Sequence, residues 1–297
     1  MAKVRWLVVL LLIALLVLQD RPDSTPPHQA EWLSAGSLHL RTVRAGQGDT
    51  TLFLLHGYGE SLLAFRALFD QLATRYRVVA VDLPGFGVSD KPEGPYDHET
   101  MAATLWDFLD QHIYGDVVVV GHSLGGQLAV ELALSHPDRI VALVLIAPAG
   151  YGLSPWHSAL TGRPARLVGW ASVPIAYLMP IHAPDWLGEP DAWQNYDPLA
   201  DPAFRTSATK VLRDFDFAGL RDRFHELEQP TLLVWGRLDP TIPFSTGQAI
   251  AALVPCNRLV GFDRVLHRPH QTEPDSVFRS VVQFLADPPR CPPARSP

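Results

Sequence analysis

Between residues 37 and 286 the sequence alternates short apolar runs rich in β-branched residues with longer stretches whose apolar residues recur at helical intervals. This alternation is typical of a mostly parallel sheet whose crossover helices cover both of its faces. We therefore predict an α/β fold with a mostly parallel central sheet and helices on both faces. The runs with strand character are 51–55, 77–81, 117–120, 141–146, 231–235 and 257–260, and the predicted helices are 62–74, 98–112, 124–136, 246–253 and 275–285.

The alternation is interrupted at residues 151–229, which are rich in Pro and hold four of the eight tryptophans of the chain. We predict an α-helical cap there, inserted after the sixth strand, so that residues 37–150 and 230–286 form the core. The aromatic residues of the insertion either fill the small core of the cap or line an apolar pocket beneath it.

Composition excludes several classes of function. The formal net charge is -7 and the basic residues are scattered, so nucleic acid is not expected as a partner. The two cysteines, Cys256 and Cys291, lack the paired spacing of a zinc site, and neither a metal nor another cofactor is predicted. The two could pair in an oxidising compartment, but the position of Cys291 in the Pro-rich tail 287–297, predicted to be disordered, disfavours that.

The N-terminus carries an unbroken apolar run over residues 6–18, preceded by Lys3 and Arg5. A helix of this length spans about 20 Å, less than the roughly 30 Å of bilayer hydrocarbon, which favours a signal-peptide apolar region. No small-x-small cleavage site follows, which slightly favours an uncleaved anchor over a removed signal, and a buried core helix is the weakest alternative. We therefore assign residues 1–20 to a signal anchor or signal peptide and 21–36 to a linker. The preceding basic residues predict an extracytoplasmic body, anchored at the membrane or secreted.

A nucleophile candidate lies at Ser123. The strand run 117–120 leads directly into Gly-His-Ser-Leu-Gly-Gly and then into a helical pattern, which places Ser123 on a sharp strand-to-helix turn. Glycines two residues before and after the serine leave room for strand and helix to approach each other, and the turn exposes the hydroxyl. The alternative is an ordinary helix N-cap. His122 is interpreted as a packed side chain, because adjacent residues on a sharp turn point apart.

The sharp turn at Ser123, a nucleophile elbow, and three other motifs make the sequence similar to the α/β-hydrolase superfamily, in the branch that has a serine nucleophile and a helical cap. The other motifs are Leu-His-Gly-Tyr-Gly at 55–59, Asp-Leu-Pro-Gly-Phe-Gly-Val-Ser-Asp at 82–90 and Trp-Gly-Arg-Leu-Asp-Pro at 235–240. The resemblance extends from about residue 37 to residue 286.

The resemblance implies a catalytic triad in the order serine, acid, histidine. Asp239 follows the strand run 231–235 and is the expected acid, the alternative being that it only caps its own loop. No carboxylate follows the run 141–146, where some relatives place the acid. His267 is the expected base and His270 the second candidate; the residue before His267 is Leu266, where the family usually has Gly.

The resemblance also implies an oxyanion hole made of the backbone N–H groups of Tyr58 and Leu124. The side chain of Tyr58 either reaches the substrate or packs elsewhere.

The activity that follows is hydrolysis of a carboxylic ester of an apolar small molecule, through an acyl-enzyme intermediate and without a cofactor. The same triad serves lactonases, amidases, carbon–carbon bond hydrolases and acyltransferases, which stay open as alternatives. A non-catalytic, membrane-anchored binding protein is the alternative from another class. The membrane is a partner only if the N-terminal segment remains uncleaved.

Overall fold

The computed structural model of the protein describes residues 28–158, 201–289 and 291. Within these residues the chain forms one sheet of eight strands, ordered β1-β2-β4-β3-β5-β6-β7-β8. The strands are β1 Ala30–Ala35, β2 Leu38–Ala45, β3 Thr51–Leu55, β4 Arg77–Val81, β5 Val117–His122, β6 Ile140–Ile146, β7 Thr231–Gly236 and β8 Asn257–Phe262.

The pairing of the strands decides where a site can form. Only the pairs β1–β2 and β2–β4 are antiparallel, and all other neighbours are parallel. The carboxyl-terminal ends of β3 to β8 therefore lie along one side of the sheet, named here the carboxyl edge. The chain steps outward from β3 to β4 and then returns to the other side of β3 for β5, and ligands bind at such reversals of strand order.

Helices cover both faces of the sheet, which confirms the predicted mostly parallel α/β fold. Along β3, Leu52 and Leu54 join one apolar cluster while Phe53 and Leu55 join the other, as the two-residue period of a strand requires. The described helices are α1 Arg66–Ala73, α2 His98–His112, α3 Leu124–Ser135, α4 Pro155–Ser158, α5 Pro202–Asp214, α6 Phe244–Leu253, α7 Pro269–Thr272 and α8 Pro274–Ala286. The first cluster includes residues of α1 and α8, and the second includes residues of α2, α3 and α6.

The fold begins earlier than the sequence analysis places it. Strand β1 lies within residues 21–36, the range assigned to a linker, and it pairs with β2 through a tight turn at Gly36, whose φ is +60°. The hairpin escaped prediction because it has no continuous apolar run. It stands at the edge of the sheet with Trp32 half exposed, so its pattern is mixed rather than uniformly apolar.

The predicted cap falls largely outside the described residues. Residues 159–200, with Trp170, Trp186 and Trp193, are among those not described, and so are residues 1–27 with the apolar run of the N-terminus. What is described of 151–229 includes α4, α5 and a short 3₁₀-helix, Phe224–Glu226. Phe204 and Val211 of α5 belong to the main core. Among the described helices, none has the length and apolar character that crossing a membrane requires.

The C-terminal tail differs from its prediction as well. Cys256 and Cys291 form a disulfide with their Cα atoms 4.8 Å apart, although the tail position of Cys291 disfavoured pairing. After α8 the chain returns to the start of β8, where Arg258 Nη2 donates to the carbonyl oxygen of Asp287 at 3.0 Å. The separation of the two cysteines along the chain gave no sign of this return.

Candidate functional site

Ser123 lies on the turn between β5 and α3, at the carboxyl edge of the sheet. Its φ of 51° and ψ of −114° are unusual for a residue other than glycine. The turn is held by its backbone: Ser123 N donates to Ile146 O at 3.0 Å, and Ser123 O accepts from Ala149 N at 2.8 Å. The neighbouring strand β6 and the loop after it thus keep the serine in a strained conformation, as a nucleophile elbow requires.

The glycines of the elbow are required by close backbone contacts. A Cβ atom on Gly121 would overlap the carbonyl of Gly125, and one on Gly125 would overlap the carbonyl oxygens of Leu55 and His56. The elbow therefore packs directly against the end of β3. This contact brings Ser123 next to the loop that follows β3.

Asp239 and His267 are in direct contact. Asp239 Oδ2 lies 2.7 Å from His267 Nδ1, and both residues are buried. Because a carboxylate oxygen only accepts, Nδ1 of His267 carries the proton and Nε2 is left as a base. Asp239 Oδ1 accepts from Thr241 N at 2.8 Å and Ile242 N at 2.9 Å, so this aspartate both caps its loop and holds the histidine.

The loop of His267 keeps its position without the glycine that the family usually has before the histidine. Leu238 N donates to Val265 O at 3.0 Å, and a Cβ atom on Gly236 would overlap the carbonyl oxygen of Leu266. The glycine that permits the close approach thus lies on β7 rather than directly before His267.

His270, the second candidate for the base, has a different environment. Its ring lies 5.0 Å from that of Phe65 and 4.5 Å from that of His122, and it is fully buried. Neither ring nitrogen forms a hydrogen bond with any residue in the described part of the chain. Burial and the nearby His122 hold its pKa well below the ordinary value, so it is a neutral ring without a carboxylate contact.

The loop after β3 holds the proposed oxyanion donor of Tyr58. His56 anchors this loop, with Nε2 accepting from Leu83 N at 2.9 Å and Nδ1 donating to Gly57 O at 2.8 Å. The Tyr58 hydroxyl donates to Ala208 O on α5 at 3.1 Å, so its side chain packs toward the insertion. The N–H groups of Tyr58 and Leu124 donate no hydrogen bond to another described residue.

Glu60, a buried carboxylate in the same loop, was not predicted from the sequence. Its Oε2 accepts from Gly57 N at 2.7 Å and lies 3.0 Å from His122 Nδ1, while Oε1 lies 2.8 Å from Arg268 Nη2. His122 is packed beneath the loop, with Nε2 at 3.1 Å from the carbonyl oxygen of His267. The one signal in the sequence was an acidic residue shortly after the His-Gly of the β3 loop.

The structure therefore brings Asp239 and His267 together and places Ser123 at the same edge. The ring of His122, the residue before Ser123, lies 4.8 Å from the ring of His267. Among the described residues, no group of three or more His, Cys, Asp and Glu side chains is arranged to hold a metal ion.

Comparisons with known proteins indicate the family of the chain. A family model described as the alpha/beta hydrolase fold matches residues 50–174. The pimeloyl-acyl-carrier-protein methyl ester esterase of Aeromonas hydrophila is 31% identical to the chain over an alignment of 261 residues, which covers 84% of this chain and 100% of that protein.

Two solved structures share the fold. A serine hydrolase from Cycloclasticus zankles, a bacterium that degrades polyaromatic hydrocarbons, is 22% identical with a TM-score of 0.73, over 88% of this chain and 98% of that one. A bacterial membrane phospholipase A is 25% identical with a TM-score of 0.69, over 96% of this chain and 98% of that one.

Proposed function

The chain belongs to the α/β-hydrolase superfamily and is a hydrolase, and from this premise we propose that it cleaves carboxylic esters through an acyl-enzyme intermediate. The observation that carries the proposal is the contact of 2.7 Å between Asp239 Oδ2 and His267 Nδ1. It leaves Nε2 of His267 as a base at the sheet edge that also carries the strained Ser123.

In the proposed reaction the Ser123 hydroxyl attacks the ester carbonyl carbon and gives its proton to His267 Nε2. The N–H groups of Tyr58 and Leu124 stabilise the negative charge that develops on the carbonyl oxygen. When the tetrahedral intermediate collapses, the alcohol leaves with the proton from His267. Water then attacks the acyl-enzyme by the same steps in reverse and releases the carboxylic acid, while Asp239 holds the ring and stabilises its cation.

The proposed substrate is a small ester with an apolar acyl group. Support comes from the predicted Trp-rich cap over residues 151–229 and from the similarity to an esterase named for a methyl ester of an acyl chain. A lactone, an amide, a carbon–carbon bond or acyl transfer to another acceptor would use the same three residues, and only turnover distinguishes them.

The test is hydrolysis of p-nitrophenyl and methyl esters of increasing acyl length, together with labelling by a fluorophosphonate that reacts with activated serines. We expect turnover and labelling in the wild type and loss of both in Ser123→Ala. His267→Ala should lower kcat by at least about a thousandfold, because the serine loses its base. The exposed Ser37→Ala and His225→Ala are matched controls and should retain full activity.

Each other outcome points to a different function. Labelling at Ser123 without ester turnover would assign the triad to another acyl reaction. With neither turnover nor labelling, the proposed acyl-enzyme reaction at Ser123 is wrong.

We also propose that the protein lies outside the cytoplasm, held at a membrane by residues 1–20 or released from it. Support comes from the basic residues before the apolar run and from the disulfide between Cys256 and Cys291, which persists in oxidising compartments. The similarity to a membrane phospholipase A fits a membrane site. Alkylation of protein taken directly from cells tests this: both cysteines should stay unmodified until a reductant is added, and free thiols would contradict the proposal.

A further inference from the structure

Glu60, His122 and Arg268 form a buried charged cluster, named here the Glu60 cluster. The exposed fractions of their side chains are 1%, 2% and 7%. The carboxylate is the centre, because it contacts the Gly57 N–H, the His122 ring and the Arg268 guanidinium at 2.7, 3.0 and 2.8 Å.

Each contact of Glu60 is with the chain neighbour of a group in the proposed reaction. Gly57 precedes Tyr58, His122 precedes Ser123, and Arg268 follows His267. The loop after β3, the end of β5 and the loop after β8 are far apart in the sequence, and they meet on one carboxylate.

We propose that Glu60 is a positioning residue, which holds the oxyanion loop, the nucleophile elbow and the loop of the base at fixed distances during ester hydrolysis. The inference rests on the proposed function and adds a residue to it. Within the described residues Glu60 forms no hydrogen bond with the side chain of Ser123, Asp239 or His267, so it acts through the chain neighbours that it contacts.

The charge on Glu60 gives these contacts their strength. Burial by itself raises the pKa of the carboxyl, but Arg268 and His122 outweigh that effect and hold the pKa well below its ordinary value. Glu60 is therefore ionised. The hydrogen bonds that its Oε2 accepts from Gly57 N and His122 Nδ1 are stronger than those between neutral groups, and the contact of Oε1 with Arg268 is an ion pair.

The packing leaves little freedom around these contacts. A Cβ atom on Gly57 would lie 2.8 Å from His122 Nδ1 and 2.9 Å from Glu60 Oε2, so this backbone position accommodates only glycine without displacing the cluster. His122 donates its Nδ1 proton to the carboxylate, and its Nε2 lies 3.1 Å from the carbonyl oxygen of His267. The elbow and the loop of the base thus approach each other across one imidazole ring.

The expected effect of loosening the cluster follows from geometry. Displacing a reacting group by about 1 Å can lower a rate by about a hundredfold. Losing one of several contacts should displace the loops by less, so we expect a decrease of at least about tenfold.

The chain contains a matched control in Glu131, His98 and Arg223, named here the Glu131 cluster. His98 Nδ1 lies 2.9 Å from Glu131 Oε1, and Arg223 Nη1 lies 3.4 Å from Glu131 Oε2. It has the same three side-chain types. It joins α2 and α3 to the chain just before the 3₁₀-helix Phe224–Glu226, and none of its members is a chain neighbour of Tyr58, Ser123, Asp239 or His267.

The experiment compares kcat, KM and the rate of fluorophosphonate labelling in five variants of the full chain, with circular dichroism to verify folding. Glu60→Gln and Arg268→Met should each lower kcat by at least about tenfold while KM changes less than about twofold, and labelling should slow by the same factor. Arg268→Lys keeps the cation and should retain most of kcat. Glu131→Gln should leave kcat unchanged. The double variant Glu60→Gln/Arg268→Met should lose no more of kcat than the worse single variant, because both changes weaken the same contact between Glu60 and Arg268.

Four results would overturn the positioning role or the proposed function. An active wild type whose folded Glu60→Gln and Arg268→Met variants keep kcat would overturn the positioning role and leave the proposed function intact. Equal losses in Glu60→Gln and Glu131→Gln would overturn it too, as would equal losses in Arg268→Met and Arg268→Lys. A wild type that neither turns over esters nor labels at Ser123 would overturn the proposed function, and the role of Glu60 with it. If Glu60→Gln does not fold, the two Arg268 variants decide.

Discussion

The Glu60 cluster and the Glu131 cluster have the same three kinds of side chain, yet the pKa values of their histidines are shifted in opposite directions. The contact with Glu131 raises the pKa of His98 above its ordinary value, although partial burial opposes the shift. For His122, burial lowers the pKa, although Glu60 opposes that shift. Composition alone therefore does not decide how such a triplet titrates.

The difference comes from access to water. Arg223 is 41% exposed and His98 is 12% exposed, whereas no side chain in the Glu60 cluster exceeds 7%. The pKa of a partly hydrated histidine is set mainly by its carboxylate partner, and that of a fully buried histidine mainly by the loss of solvent. Removing a charge should accordingly cost far more stability in the Glu60 cluster.

The largest expected effect is on the free energy of unfolding. Glu60→Leu leaves the buried Arg268 without its carboxylate and should lower that free energy by about 3–5 kcal/mol. Glu131→Leu should lower it by about 1 kcal/mol, because the exposed Arg223 can be hydrated. Urea denaturation followed by circular dichroism measures both, and equal losses would contradict the comparison.

The double variant Glu60→Leu/Arg268→Met serves as the control for this prediction. It removes both charges together, so it should be more stable than Glu60→Leu alone. A double variant less stable than the single one would show that Arg268 stabilises the fold through other contacts.

A smaller effect is expected in the dependence of stability on pH. The stabilising contribution of His98 is complete below pH about 6.5 and is lost as the pH rises through its raised native pKa. His122 acts in the opposite direction, because its native pKa is lowered and protonation of the unfolded chain destabilises the fold as the pH falls. Across pH 5 to 8, His98→Asn should therefore make stability rise more steeply with pH, and His122→Asn should flatten that rise. Slopes that change in the same direction would contradict the opposite shifts.

The smallest effect is expected at His270, which packs against His122 at the border of the Glu60 cluster. Its two ring nitrogens have no hydrogen-bond partner in the described part of the chain. His270→Phe keeps a ring beside Phe65 and removes two buried polar atoms, so thermal denaturation should show equal or higher stability, by up to about 1 kcal/mol. A clear loss of stability would mean that water or another group satisfies the imidazole.

Local patterns predicted the strands that are buried on both faces. The bounds 51–55 and 77–81 agree with β3 and β4, because strands covered on both sides read as continuous apolar runs. Helix α2 also begins and ends at the predicted residues. At its start the Asp97 side chain caps the helix by accepting a hydrogen bond from Thr100 N. The antiparallel strands β1 and β2 lack such a run, and their pairing is set by the rest of the sheet.

The candidate site divides in the same way. Ser123, Asp239 and His267 each follow a strand closely enough for a motif to indicate them, and the contact between the last two bears on that prediction. Glu60 could not be assigned in advance, because its partners lie at positions 57, 122 and 268 and meet only in the folded chain. The disulfide has the same origin, since it depends on the tail returning to the start of β8.

The position of that disulfide has a practical consequence. Cys256 immediately precedes β8, and the parallel strands carry Ser123, Asp239 and His267 at their carboxyl ends. Cys291 is therefore fixed at the end of the sheet opposite these three candidate residues. A chain coupled to a solid support just beyond Cys291 would turn the edge that carries them toward the surrounding solution, so this attachment point suits surface-based binding assays.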